Sequence, residues 1–221
     1  MNSRSAQGGG VSRHLASLLI LAGGQSRRFG TDKSLLTVDG KLLVQVLHER
    51  LGDLFDKTVI ASNRPGKFSI PGVVETADRY EGRGPLGGMQ AGLSLVDTPW
   101  ALVLACDMPA VDRETVGRLL AAAEGTDADA VIPRHAEGYE PLCGMYRRDL
   151  LDAVNRLLLV NDHRPGLLEL LRSAKVEYLP VDNCFFNINT PGDADRIRWQ
   201  TQNAAPGRKT RYKDFFQRET C

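Results

Sequence analysis

Residues 18–33, LLILAGGQSRRFGTDK, set a glycine pair, two arginines and a lysine directly after an apolar run, a group of residue types suited to holding a polyphosphate. Leu18, Leu19, Ile20 and Leu21 have the length and composition of a strand buried on both faces. Gly23 and Gly24 let the backbone turn tightly where a Cβ would obstruct a ligand, and such a turn presents N–H groups. Backbone donors aimed at anionic oxygens, reinforced by cations such as Arg27, Arg28 and Lys33, are what a triphosphate chain requires. The alternative is a turn that serves the fold alone.

Three more polar residues fall at or just beyond expected strand ends. Asn63 follows the strand expected over 58–61, and its amide, which donates and accepts at once, suits a base edge; capping a turn is its other role. Asp78 opens the glycine-rich loop 78–88, where a carboxylate either accepts from a base N–H or a ribose hydroxyl or stays a solvated loop residue. Asp107 follows the apolar strand 100–105, at the carboxyl edge where ligands bind in open α/β sheets, and there it faces the crevice in which Mg2+ bridging phosphate oxygens would sit. Asp112 is the better cap for the helix that follows, which frees Asp107 from that duty.

Two other phosphate motifs are excluded by spacing and context. A P-loop needs glycine, lysine and Ser/Thr adjacent, whereas Thr31 and Asp32 separate Gly30 from Lys33. Gly82, Gly84 and Gly87 form a GxGxxG with Asp107 about twenty positions beyond, but polar residues 77–81 precede it and Pro85 interrupts it, so an NAD-dependent oxidoreductase is only a distant alternative. Cys106, Cys143, Cys184 and Cys221 lack the paired spacing of a zinc site, and the four histidines are equally scattered. Cys143 has no evident partner base and reads as a buried structural thiol.

The stretch LAGGQSRRFGTDK resembles the signature LAGGxSxRMGxDK of the molybdenum cofactor guanylyltransferases, the MobA family, with Phe29 where the family usually has Met. The resemblance extends in the family's order through ASNR at Asn63, Asp78 and the GPLGG of 84–88, CDMP at 106–109, EPLCGMY at 140–146 and NINTPGD at 187–193. It implies a Rossmann-like α/β fold of the nucleotide-diphospho-sugar transferase kind: an open, mostly parallel sheet with helices on both faces, in three α/β/α layers. It implies transfer of GMP from GTP to the terminal phosphate of molybdopterin, with or without bound molybdenum, and release of pyrophosphate. GTP would be held by Leu21, Ala22, Gly23, Gly24, Lys33, Asn63, Asp78 and Asp107, with Lys33, Arg27 and Asp107 as the catalytic set. Asn187 and Asn189 would face the pterin, and Asn189 would join Asp107 as a second Mg2+ ligand. The implied partners are GTP, molybdopterin and, transiently, molybdoenzymes or other proteins of cofactor biosynthesis. A sister enzyme using CTP or a sugar phosphate is the nearest alternative; the paired glycines, where CTP-using relatives resemble LAAG, favour a purine. A nucleotide-binding regulator without catalysis is disfavoured by the presence of both Lys33 and Asp107.

The remaining chain must position these groups. Its 221 residues, 42% hydrophobic and 25% charged, suffice for one substantial core. The expected organisation is a disordered tail over 1–14, one nucleotidyltransferase domain over 15–202 and a polar tail over 203–221. A net charge of +1 supplies no global field for nucleic acid or membrane, so anion recognition must be local. The apolar run 15–21 is too short for a signal segment and leads into the glycine turn, so a cytoplasmic protein with reduced thiols is expected. Helices are expected over 42–55, 87–96, near 112–123, over 150–159 and from Pro165 to 172, and strands over 18–21, 58–61, 73–74, 100–105, 130–132 and 176–179. Residues 161–164 read as a solvated turn.

Overall fold

The computed structural model describes residues 15–23, 35–38, 40–80, 82–159, 166–182, 185 and 187–188. Both terminal tails, the 161–164 turn, and Gly24, Arg27, Lys33 and Asn189 lie outside them.

The apolar run becomes β1, Ala16–Leu21, buried along its whole length. A short hairpin follows, β2 Thr37–Val38 and β3 Lys41–Leu42, turning at Gly40 with φ +77°. Two residues per strand carry too little alternation to reveal it from the sequence. Helix α1, Leu43–Leu51, begins where the Leu42 amide donates to Gln45 Oε1 at 3.0 Å. It stops four residues short of the expected end, giving way at Gly52, a poor helix former, to a 3-10 turn over Gly52–Leu54. Strands β4, Thr58–Ser62, and β5, Val73–Ala77, then lead to α2, Pro85–Leu93. That helix starts two residues earlier than expected because Gly84, at φ +69°, breaks the chain and Pro85 takes the first helical position.

Strand β6, Trp100–Ala105, is fully buried, and α3, Arg113–Glu124, starts where Asp112 Oδ1 accepts from the Thr115 amide at 2.8 Å. Next come β7 Ala130–His135, β8 Gly138–Tyr139, β9 Cys143–Arg147, α4 Leu151–Leu159, α5 Leu167–Ser173 and β10 Val176–Pro180. Helix α5 starts after Gly166, whose extended backbone delays it past the proline start read from the sequence.

Eight strands make one sheet in the order β10-β7-β9-β6-β1-β4-β5, with β8 paired to β7 off this path. β1 is parallel to β4 and β6, β4 to β5, and β7 to β10, whereas β9 runs antiparallel to both β6 and β7. β6 is therefore parallel to its neighbour on the β1 side and antiparallel on the other. Successive side chains alternate between two cores. Leu18, Ile20, Leu102 and Leu104 pack with Val44, Leu47 and Leu51 of α1 and Val116 and Leu119 of α3. Leu19, Leu21, Ala101 and Val103 pack with Leu86, Met89 and Leu93 of α2, Val154 and Leu158 of α4, and Leu170 of α5. Helices thus cover both faces, giving the three-layer α/β/α arrangement. No helix among the described residues is long and apolar enough to cross a membrane.

Candidate active site

Because β1, β4, β5, β6 and β7 run in one direction, their carboxyl ends share one edge of the sheet, and the site candidates follow in strand order along it. The chain order reverses between β1 and β6: after β5 it returns to the other side of β1. This switch point opens the crevice in which ligands of open α/β sheets bind. Ala22 and Gly23 leave β1 on one side of it, and Cys106 and Asp107 leave β6 on the other. Leu21 stands opposite Ala105, and the Cys106 amide donates to the Leu21 carbonyl at 3.0 Å.

On the β4 side, the Ala22 amide donates to the Ala61 carbonyl at 2.8 Å, which holds Ala22 and Gly23 against the end of β4. A Cβ built on Gly23 would lie 3.0 Å from Asn63 Oδ1, so the glycine lets the Asn63 amide close onto the turn. The Asp78 amide donates to the Ser62 carbonyl at 3.2 Å, and one Asp78 carboxylate oxygen accepts from the Tyr80 amide at 2.8 Å. The Asp78 carboxylate lies over the first turn of α2: a Cβ on Gly87 would come within 2.4 Å of it. The carboxylate therefore sits at the positive end of α2. From Asp78 to Asp107 the row spans three inter-strand spacings, about 14 Å.

On the β6 side, Asp107 is half-buried and its loop is braced from below: the Arg50 guanidinium of α1 donates to the Pro109 carbonyl and, at 3.4 Å, to that of Val111. The Ile188 amide donates to the Asp107 carbonyl at 2.8 Å, and the Ile188 side chain is buried with Val38 and Leu43. The hairpin and α1 therefore anchor the late segment, and Asn187 comes beside Asp107, as the sequence order alone did not reveal.

Sequence reasoning gave residues 140–146 no chemistry, yet Glu140 joins this edge. Its amide donates to the Pro133 carbonyl at 3.0 Å, and its own carbonyl accepts from the Cys143 amide at 3.2 Å. Burial pushes the Glu140 carboxyl above the ordinary glutamate range; the Asp107 charge acts the same way, while the Leu142 amide and His135 oppose it. His135, at the end of β7, sets its ring 5.8 Å from that of Phe185. The available signal was a carboxylate three residues before a strand that enters the sheet at its ligand-binding edge. Cys143 is fully buried, and burial raises its thiol well above the usual range, in keeping with a structural cysteine.

The GxGxxG reading needs correcting in detail. A strand does precede it, since β5 runs to Ala77, but Gly82 comes five residues after its end, whereas a dinucleotide loop places its first glycine at the strand terminus. Its glycines instead deliver the chain to the start of α2.

Comparison with known proteins agrees with this architecture. Residues 18–177 match the family described as the MobA-like NTP transferase domain. The chain is 34% identical over 193 residues to the molybdenum cofactor guanylyltransferase of Syntrophotalea carbinolica, covering 83% of this chain and 91% of the relative. It is 34% identical over 188 residues to that of Desulfosudis oleivorans, covering 80% and 92%. The crystal structure of molybdopterin-guanine dinucleotide biosynthesis protein A from Archaeoglobus fulgidus superposes with a TM-score of 0.71 at 28% identity, covering 84% of this chain and 98% of that one. With Gly23 and Asp107 following neighbouring strand ends at the sheet's switch point and a family match spanning most of the described residues, the chain belongs to the MobA-like NTP transferase family.

Proposed function

We infer that this protein is a molybdenum cofactor guanylyltransferase, which transfers GMP from GTP to the terminal phosphate of molybdopterin, with or without bound molybdenum. A phosphate oxygen of the acceptor attacks the α-phosphorus in line; the new P–O bond forms as the bond to the bridging oxygen of the β-phosphate breaks, and pyrophosphate leaves. No covalent enzyme intermediate is required, because a phosphate monoester is already an adequate nucleophile at neutral pH. Catalysis is then positioning and stabilisation of an anionic centre. The observation that carries the reading is the placement of Gly23 and Asp107 on neighbouring strand ends at the switch point.

In this reading, the turn after β1 presents backbone donors to the phosphates, with Leu21, Ala22 and Gly23 beside the nucleotide and Gly24, Arg27 and Lys33 continuing the cradle. Asn63 reads the base edge with its amide, and Asp78 accepts from a base N–H or a ribose hydroxyl. Asp107 offers hard carboxylate oxygens to a divalent cation, for which we propose Mg2+. The donor chemistry fits such an ion, which takes oxygen ligands and retains water, and substrate phosphates would complete its coordination. When bound, the ion would supply charge neutralisation at the phosphates. Asn189 is proposed as its second protein ligand, and Asn187 as a contact to the pterin. The same reading places a single catalytic domain over 15–202, sets the reaction in the cytoplasm and passes the product to molybdoenzymes through transient contacts.

The use of CTP by a sister enzyme is the second reading. The closeness of Asn63 to Gly23 favours the purine, because an alanine there would crowd the amide. Competition of GTP against CTP and ATP in the transfer assay tests the assignment: GTP should be preferred, and equal or better use of CTP would reject it.

A further inference from the structure

The edge of the sheet divides at Asp107. The groups assigned above to the nucleotide, Asp78, Asn63 and the glycine turn, lie on the β5–β4–β1 side. On the β9–β7 side lie Glu140, His135 and Phe185, which no step of the reaction above uses. Glu140 is half-buried, its backbone is tied to Pro133 and Cys143, and its carboxylate accepts from the Leu142 amide, which fixes its place at the edge. It lies within electrostatic reach of Asp107 and His135. A second carboxylate here would repel a bare phosphate. It suits a ligand that presents N–H donors, and the adjacent His135–Phe185 ring pair suits one with a flat aromatic system.

We propose that Glu140, with the His135–Phe185 ring pair, is the specificity-determining subsite for the acceptor's pterin ring: the carboxylate accepts from the 2-amino and ring N–H groups of the pyrimidinone edge, and the ring pair packs on the bicycle. This rests on the guanylyl-transfer reading for the identity of the acceptor. It adds residues that fix which acceptor is taken. A pterin held there directs its phosphate-bearing side chain along the edge toward Asp107.

The test measures binding apart from turnover. The full chain, as wild type, Glu140→Gln and His135→Ala, is titrated with hydroxymethylpterin monophosphate and followed by pterin fluorescence, and GTP affinity is measured by calorimetry. Guanylyl transfer to molybdopterin is assayed in parallel. Wild type should bind the pterin, and Glu140→Gln, which exchanges one acceptor oxygen for a donor, should weaken that binding about tenfold or more while GTP affinity stays within about twofold. His135→Ala should weaken pterin binding by a smaller factor and likewise spare GTP. Pterin affinity unchanged in Glu140→Gln, equal losses for pterin and GTP, or no pterin binding by wild type would each overturn the proposal. Pterin binding that depends on Glu140 in a protein that transfers no GMP would instead reject the guanylyl-transfer reading and uphold the subsite.

Discussion

The Cys106 amide donates to the Leu21 carbonyl at 3.0 Å, so the ends of β1 and β6 are clasped and the glycine turn and Asp107 emerge side by side. This backbone bond does not involve the Asp107 side chain. Asp107→Asn keeps this bond and the side chain's shape, so the protein should still fold while metal-dependent transfer falls by about a hundredfold or more, the scale of one preorganised electrostatic contact. Retained activity would remove Asp107 from the site.

Gly23 packs against Asn63, the residue proposed to read the base. In Gly23→Ala the new methyl would lie 3.0 Å from Asn63 Oδ1, closer than ordinary van der Waals contact, and the amide must shift by a few tenths of an ångström. The ratio of kcat/KM for GTP over CTP should fall by about tenfold, as expected for a small displacement in a recognition contact. Steady-state kinetics with each nucleotide would show it.

Lys33 belongs to the cradle by sequence and lies outside the described residues. Lys33→Ala should lower turnover by about a hundredfold or more if the lysine stabilises charge developing on the transferred phosphate. Unchanged kcat would show that it plays no such part.

Two glycine-to-alanine substitutions in helices should have opposite signs. In α2, a Cβ on Gly92 would come within 2.1 Å of Leu19 Cδ1, so Gly92→Ala must displace the buried Leu19 side chain or the helix, at a cost of about 1–3 kcal/mol for overpacking. In α3, nothing lies within 4 Å of a Cβ on Gly117, so Gly117→Ala should stabilise by about 0.5–1 kcal/mol through helix propensity. Urea unfolding of the two variants gives both signs in one experiment.

The buried Cys143 thiol, its ionisation suppressed by burial, should resist alkylation in the folded protein at neutral and mildly alkaline pH, as should the buried Cys106. Peptide mass spectrometry after iodoacetamide treatment should find both labelled only once the protein is unfolded.

Much of this was legible because buried parallel strands are nearly continuous apolar runs: 18–21 and 100–105 announce themselves, and their ends mark the ligand edge without knowledge of tertiary contacts. Asp112 was readable as a cap for the same local reason, and its bond to the Thr115 amide is present. The sequence did not reveal how the strands are ordered across the sheet. The reversed direction of β9 is a matter of long-range pairing, with Leu104 opposite Cys143, and no local pattern encodes it. Glu140 was missed for that reason: it joins the edge only because β9 enters the sheet against the direction of β6. The β2–β3 hairpin was missed because two residues per strand carry too little periodicity.

The most direct measurement of the central claim is pyrophosphate release from GTP by the purified protein, with and without molybdopterin, alongside chromatographic detection of the dinucleotide product. Release that requires molybdopterin and matches the guanine dinucleotide formed, one for one, is the expected result. Pyrophosphate release indifferent to molybdopterin, or no dinucleotide formed from GTP while CTP yields one, would contradict it.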